Sequence, residues 1–144
     1  DALAEMGGVL LVDTLKLIEE GKVTAVPQDD ALATYAGLIS KKDGKIDFTK
    51  SPVEIERLIR GFDPWPGAFC NLGEEVIKFW KAIPTEEETN KEAGTVLSAD
   101  NNGIKISCGG KILVVTEIQA PGKKRMAVGD YLRGHSMDAG CKFE

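Results

Sequence analysis

"RLIRGFDPWPGAF", residues 57–69, separates two stretches of chain with different periodicities. Upstream, in "SPVEIERLIRGF" (51–62), Ile55, Leu58, Ile59 and Phe62 recur at spacings of three and four, with Val53 apolar as well. Ser51 stands as an N-cap, Pro52 as the first helical residue, and Glu54 completes a capping box. A helix is therefore expected over 51–61, ending at Gly61. Downstream the period falls to two. "EVIKFWKAI" (75–83) places Val76, Lys78, Trp80 and Ala82 on one side, and Ile77, Phe79, Lys81 and Ile83 on the other. "GTVLSA", "GIKISCG" and "KILVVTEIQ" follow, with turn signals at Asn102-Gly103 and Gly109-Gly110. With 66–72 as a first strand, about five short antiparallel strands occupy residues 66–120. The expected fold is mainly β with α: an OB-like five-stranded antiparallel Greek-key barrel, preceded by helices, with the 51–61 helix against one end.

The remaining segments read less sharply. "LAEMGGVLLVDTLKLIEEG" lines up Leu3, Leu10, Leu11, Leu15 and Ile18 on one helical stripe, and Gly21 supplies a stop. Nothing close in sequence can bury that stripe, so it is expected to dock on something else. Pro27 and the turn signal Asp43-Gly44 bracket a linker, in which 31–39 is either a short helix or an irregular apolar strap. "MAVGDYLRG" (126–134) predicts one short helix before an extended tail.

Composition bounds the function. The chain has 144 residues, 42% hydrophobic and 28% charged, which fits a globular protein. It has no apolar run of the roughly 20 residues a membrane helix needs and no basic-then-apolar leader pattern. The first residue is Asp1 rather than Met, and a fragment is expected. Cys70, Cys108 and Cys141 are odd in number and widely spaced, which argues against a disulfide framework or a zinc site and fits a reducing cytosol.

The net charge of −5 hides an uneven distribution. Residues 51–92 carry nine acids against five basic residues, whereas 93–144 carry seven basic residues against five acids. Two basic clusters stand out: Lys41, Lys42 and Lys45 in a loop, and Lys123-Lys124-Arg125 with Arg133 further on. Such patches act on phosphate within a Debye length of ~8 Å even on an acidic chain, although surface charge is more often merely solvated.

No catalytic motif is present: there is no P-loop, GxGxxG, HExxH or GxSxG. His135 is the only histidine and has no fixed partner in sequence, and Glu86-Glu87-Glu88 reads as a solvated loop. A small barrel with basic loops is a binding architecture, whose common polymer ligand is single-stranded or looped nucleic acid.

Four segments, in order and at matching spacing, closely resemble the C-terminal domain of the methionyl-tRNA formyltransferase family. They are "GGVLLVDTLKLIEEG", "TYAGLISKKDGKIDF" (34–48), "RLIRGFDPWPGAF" and "APGKKRMAVGDYLRG" (120–134). The resemblance implies that residues 1–22 are the last helix of an absent N-terminal catalytic domain. Residues 23–48 would be an interdomain linker and 49–144 the OB-like tRNA-binding domain. The corner Asp63, Pro64, Trp65, Pro66 and Gly67 would then deliver the helix into the first strand, with both prolines fixing φ and Trp65 packing over the barrel end.

The resemblance also implies a parent enzyme that transfers a formyl group from 10-formyltetrahydrofolate to the amino group of methionyl initiator tRNA. The family's folate site and its catalytic Asn, His and Asp belong to the N-terminal domain, so this chain is expected to hold no cofactor, no metal and no catalytic residue. Positions matching the family's tRNA contacts are Lys41, Lys42, Lys123 and Lys124, with Arg133 less securely matched. A cytoplasmic monomer is expected, with initiator tRNA and the catalytic domain in cis as partners and no membrane. Two alternatives carry less weight. One is the same module in a relative that acts on sugar nucleotides or hydrolyses 10-formyltetrahydrofolate. The other is a free-standing OB-fold module, against which the exposed Leu10, Leu11, Leu15 and Ile18 argue.

Overall fold

The computed structural model describes residues 2–144, which fall into two compact units divided between Gly37 and Leu38. In the first unit, helix α1 (Ala2–Glu19) ends where the Gly21 and Lys22 amides bond back to the Ile18 and Leu17 carbonyls. No residue of α1 is buried, and its apolar side chains stand exposed. The segment after it makes a single 3-10 turn over Asp30–Leu32, capped by the Asp29 carboxylate, and is otherwise irregular.

The second unit is built on an antiparallel sheet. Helix α2 (Pro52–Gly61) begins at the anticipated capping box. The Ser51 hydroxyl accepts the Glu54 amide at 3.3 Å, and the Glu54 carboxylate accepts the Ser51 amide at 3.0 Å. Ile55 and Ile59 point into the core, and α2 packs against β2 (Glu75–Glu88). β1 (Ala68–Leu72) pairs with β2 as a hairpin. β3 (Val96–Asp100), β4 (Gly103–Cys108) and β5 (Lys111–Gln119) form a meander, and β2–β5 pairing gives the order β1-β2-β5-β4-β3. Gly109 and Gly110, with φ of 53° and 80°, make the two-residue turn between β4 and β5, a conformation that suits glycine at both positions.

The mainly-β class with helices is as expected, but two details differ. Among the described residues there are six strands rather than five. Met126–Ala127 pairs with β5 as a short β6, so the expected 126–134 helix is reduced to α3 (Val128–Leu132). The extended tail is also part of the sheet. Asn71 and Glu144 exchange both backbone hydrogen bonds (2.7 and 2.9 Å), while Phe143 N–H bonds the Gly94 carbonyl and Val96 N–H bonds the Cys141 carbonyl. The tail thereby joins the free edge of β1 to the free edge of β3 and closes the sheet. Phe143 enters the core against Phe79, at 5.3 Å between ring centroids, and Phe48, at 6.2 Å.

Strand β2 corrects the expected alternation. Ile77 and Phe79 face the core, but the register shifts around Lys81, so beyond it Ala82 turns inward and Ile83 outward. A bulge inserts one residue, and in a period-two element one residue reverses the faces. Glu86-Glu87-Glu88, expected as a loop, are the end of this strand. Glu86 pairs with Lys111 and Glu87 with Lys105 across the sheet, which offsets their mutual repulsion. Residues 38–48, read from sequence as the end of a linker, pack within the second unit and carry Ile46 and Phe48 into its core. Among the described residues no helix is long and apolar enough to cross a membrane.

Candidate nucleic-acid interface

The corner that follows α2 is closed by a hydrogen bond from the Gly67 amide to the Phe62 carbonyl at 2.9 Å. The Asp63–Pro64 and Trp65–Pro66 peptide bonds are both cis. Pro66, Gly67 and Ala68 turn inward, whereas Asp63, Pro64 and Trp65 face solvent. The expectation that Trp65 packs over the barrel end is corrected here, because its side chain is 56% exposed. The inner side of the corner is already filled. A Cβ on Gly67 would lie 3.1 Å from the ring of Trp80, which is only 7% exposed. The packed indole comes from β2, not from the corner.

The first lysine loop docks on this corner. Lys41–Gly44 form a 3-10 turn whose Asp43 carboxylate accepts the Ser40 amide (2.6 Å) and hydroxyl (2.8 Å). Those two donors, the hydroxyl foremost, hold the Asp43 carboxyl below its ordinary range, with a smaller pull from Lys42. Gly44 is buried, and a methyl group there would run into the carbonyl oxygen of Gly67. The next residue, Lys45, bridges to Phe69, and Ile46 N–H bonds the Phe69 carbonyl at 2.8 Å. Lys41 and Lys42 are thus presented by a turn seated on the corner.

The second lysine loop is anchored on the same corner by side chains. Arg125 donates two hydrogen bonds to the Asp63 carboxylate, at 2.8 and 3.0 Å, a fork that only guanidinium geometry provides. Its central carbon lies 3.8 Å from the Trp80 ring centroid. Trp80 Nε1–H donates to the Gln119 amide oxygen at 3.1 Å, and the Gln119 amide nitrogen donates to the Lys123 carbonyl at 2.8 Å. Hydrogen bonding to Arg125 is the main reason the Asp63 carboxyl sits below its ordinary range. Lys78 completes the surface, 5.7 Å from the Trp80 ring and beside Gly67.

The structure therefore connects Lys41-Lys42 to Lys123-Lys124 by one unbroken chain of contacts: turn, corner, Trp80, Arg125, loop. Among the described residues these four lysines have no carboxylate within 4 Å, whereas Lys81, Lys105, Lys111 and Lys142 are all ion-paired. Arg133 lies outside the chain of contacts, beyond α3, and pairs with Asp130 at 3.2 Å. His135 stacks on Tyr131 at 4.3 Å, with Nδ1 3.1 Å from the Tyr131 carbonyl. Cys70 and Cys108 are buried free thiols. Burial pushes Cys70 well above its ordinary value and Cys108 up to about 11. Lys78, Trp80 and Gln119 are the residues that sequence reasoning missed. They look like ordinary strand positions, and only their spatial relation to Asp63 and Arg125 marks them.

A model of the formyl transferase C-terminal domain family matches residues 38–136. The chain is 46% identical over 138 residues to the methionyl-tRNA formyltransferase of Clostridium novyi, covering 96% of this chain and 45% of that protein. It is 38% identical over 144 residues to the same enzyme of Nitrosomonas eutropha, covering 100% and 46%. The chain thus spans less than half the length of these curated relatives. Among solved structures, HypX from Aquifex aeolicus in complex with tetrahydrofolic acid matches with a TM-score of 0.56. The identity is 16%, with 90% of this chain and 25% of that one covered, so the likeness is one of fold.

Proposed function

The chain belongs to the formyl transferase C-terminal domain family, and from that premise we propose that it is the C-terminal portion of a methionyl-tRNA formyltransferase that holds the tRNA. The observation that carries this reading is the pairing of two lysine loops, remote in sequence, through the corner at Asp63–Gly67. Lys41, Lys42, Lys123 and Lys124 act as point charges on the phosphate backbone and read no bases, with Arg133 a lesser contributor. Binding and orientation of the tRNA are then this portion's task. Formyl transfer, from 10-formyltetrahydrofolate to the amino group of methionyl initiator tRNA, belongs to a preceding catalytic domain, on which the apolar stripe of α1 packs. The OB-like barrel, a cytoplasmic location and a monomeric state complete the proposal.

The test is binding of a tRNA transcript by the 144-residue chain across salt concentrations. Four phosphate contacts predict a slope of log K against log salt of about −3 to −4, with initiator and elongator transcripts bound alike. The chain alone should transfer no formyl group. A salt-independent affinity, or turnover by the isolated chain, rejects the proposal.

A further inference from the structure

Arg125 belongs to the basic run Lys123-Lys124-Arg125, yet its side chain is turned back onto the sheet and is 35% exposed. Three groups engage it: the Asp63 carboxylate, the face of Trp80, and Glu117, whose oxygen is 3.8 Å from Arg125 Nε. From Trp80 the contacts continue to Gln119 and return to the chain at the Lys123 carbonyl. The circuit therefore leaves the loop at residue 125 and re-enters it at residue 123. The backbone is pinned on both sides: Lys123 N–H bonds the Ala120 carbonyl at 3.1 Å, and Met126 pairs with Ile118.

We propose that Asp63, Arg125, Trp80 and Gln119 form a clamp that sets the direction of Lys123 and Lys124 toward a polyanion, making these four positioning residues rather than phosphate contacts. The inference rests on the tRNA-binding reading above and adds to it the residues through which that loop works. A flexible loop must be ordered when it binds, and this cost is subtracted from affinity; a loop already held by its own fold avoids most of it. The clamp also explains why Asp63, a negative charge, stands at the centre of a surface meant for phosphate. Its repulsion of phosphate is largely cancelled by the paired guanidinium, and the geometry it imposes is kept.

Simple electrostatics and the clamp predict opposite signs. Asp63→Asn removes a repulsive charge and leaves Arg125 free to reach phosphate, so on charge alone the tRNA transcript binds more tightly. The clamp predicts binding weaker by roughly threefold to tenfold. Arg125→Lys keeps the charge but loses the fork and the stacking, and it should weaken binding similarly; it serves equally if Asp63→Asn does not fold. Amide exchange at residues 122–124 should quicken in both variants while thermal melting reports an intact barrel. In a Lys123→Ala/Lys124→Ala background, neither substitution should change affinity further, because the clamp acts only through those lysines. Tighter binding by Asp63→Asn, or an undiminished loss in the lysine-free background, overturns the clamp alone. If Lys123→Ala/Lys124→Ala binds like the parent chain, the lysine-loop reading itself is overturned and the clamp with it.

Discussion

Gly44 and Gly67 meet backbone to backbone: a single methyl on Gly44 would strike the carbonyl oxygen of Gly67. This contact seats the Lys41–Gly44 turn on the corner, and no flexible side-chain end is available there to yield. Gly44→Ala should therefore destabilise the second unit by about 1–3 kcal/mol and displace Lys41 and Lys42. Denaturant unfolding checks the stability. An unchanged midpoint would mean that the turn is only loosely seated.

The lysine loops should behave as independent phosphate contacts. Lys42→Ala and Lys123→Ala, each made in this chain, should weaken all tRNAs similarly and reduce the salt slope by roughly one unit each. The ratio of initiator to elongator affinity should persist if these lysines, as proposed, hold phosphates and read no bases. If affinity and slope are both unchanged, the tRNA lies elsewhere.

Phe143, buried near the end of the chain, ties the closing tail to the core through Phe48 and Phe79. Truncating its side chain leaves a ring-sized void and removes the packing that holds the tail against the sheet edges at β1 and β3. Phe143→Ala should cost about 3–5 kcal/mol in equilibrium unfolding, enough to leave a marginal domain partly unfolded. A loss below 1 kcal/mol would show that the tail contributes little to closure.

Ser51→Ala removes the hydroxyl that receives the Glu54 amide at the start of α2. The expected loss is about 1 kcal/mol, the usual value of an N-cap, with no effect on the salt slope of tRNA binding. Urea titration and filter binding measure the two readouts separately.

Acid should weaken the fold through identifiable carboxylates. Hydrogen bonds hold Glu54 below its ordinary 4.5, and Asp43, Asp47 and Asp63 below their ordinary 3.8. Because the folded values are lowered, the stabilisation is complete above the unfolded values. It disappears as pH falls through the folded ones. The melting temperature should thus be insensitive to these groups between pH 5 and 7 and should fall below about pH 4. Glu54→Gln should make that acid limb shallower, and an equally steep limb would exclude Glu54 as a contributor.

Much of the architecture is a local property and could be read residue by residue. Ser51, Pro52 and Glu54 announce α2 because a capping box lies within four consecutive positions. Gly109-Gly110 announces the β4–β5 turn because the turn demands positive φ at both residues. The basic loops and the Asp63–Gly67 corner were also visible as composition and rigidity. What the tertiary structure decided is non-local. The phase of β2 reversed because a bulge near Lys81 is set by pairing with β5, not by β2's own residues. The tail closed the sheet because edges left by β1 and β3, more than 40 residues upstream, needed hydrogen-bond partners. The packed indole proved to be Trp80 rather than Trp65, because the ring of Trp80, brought in from β2, lies against Gly67 on the inner side of the corner while Trp65 stands exposed. Likewise, Arg125 reads in sequence as a third cation beside two lysines. It becomes a structural residue only when folding brings Asp63, 62 positions away, within 3.0 Å of its guanidinium. Sequence spacing specifies what each segment can form; which segments meet is decided by the one arrangement that buries the core and satisfies the backbone together.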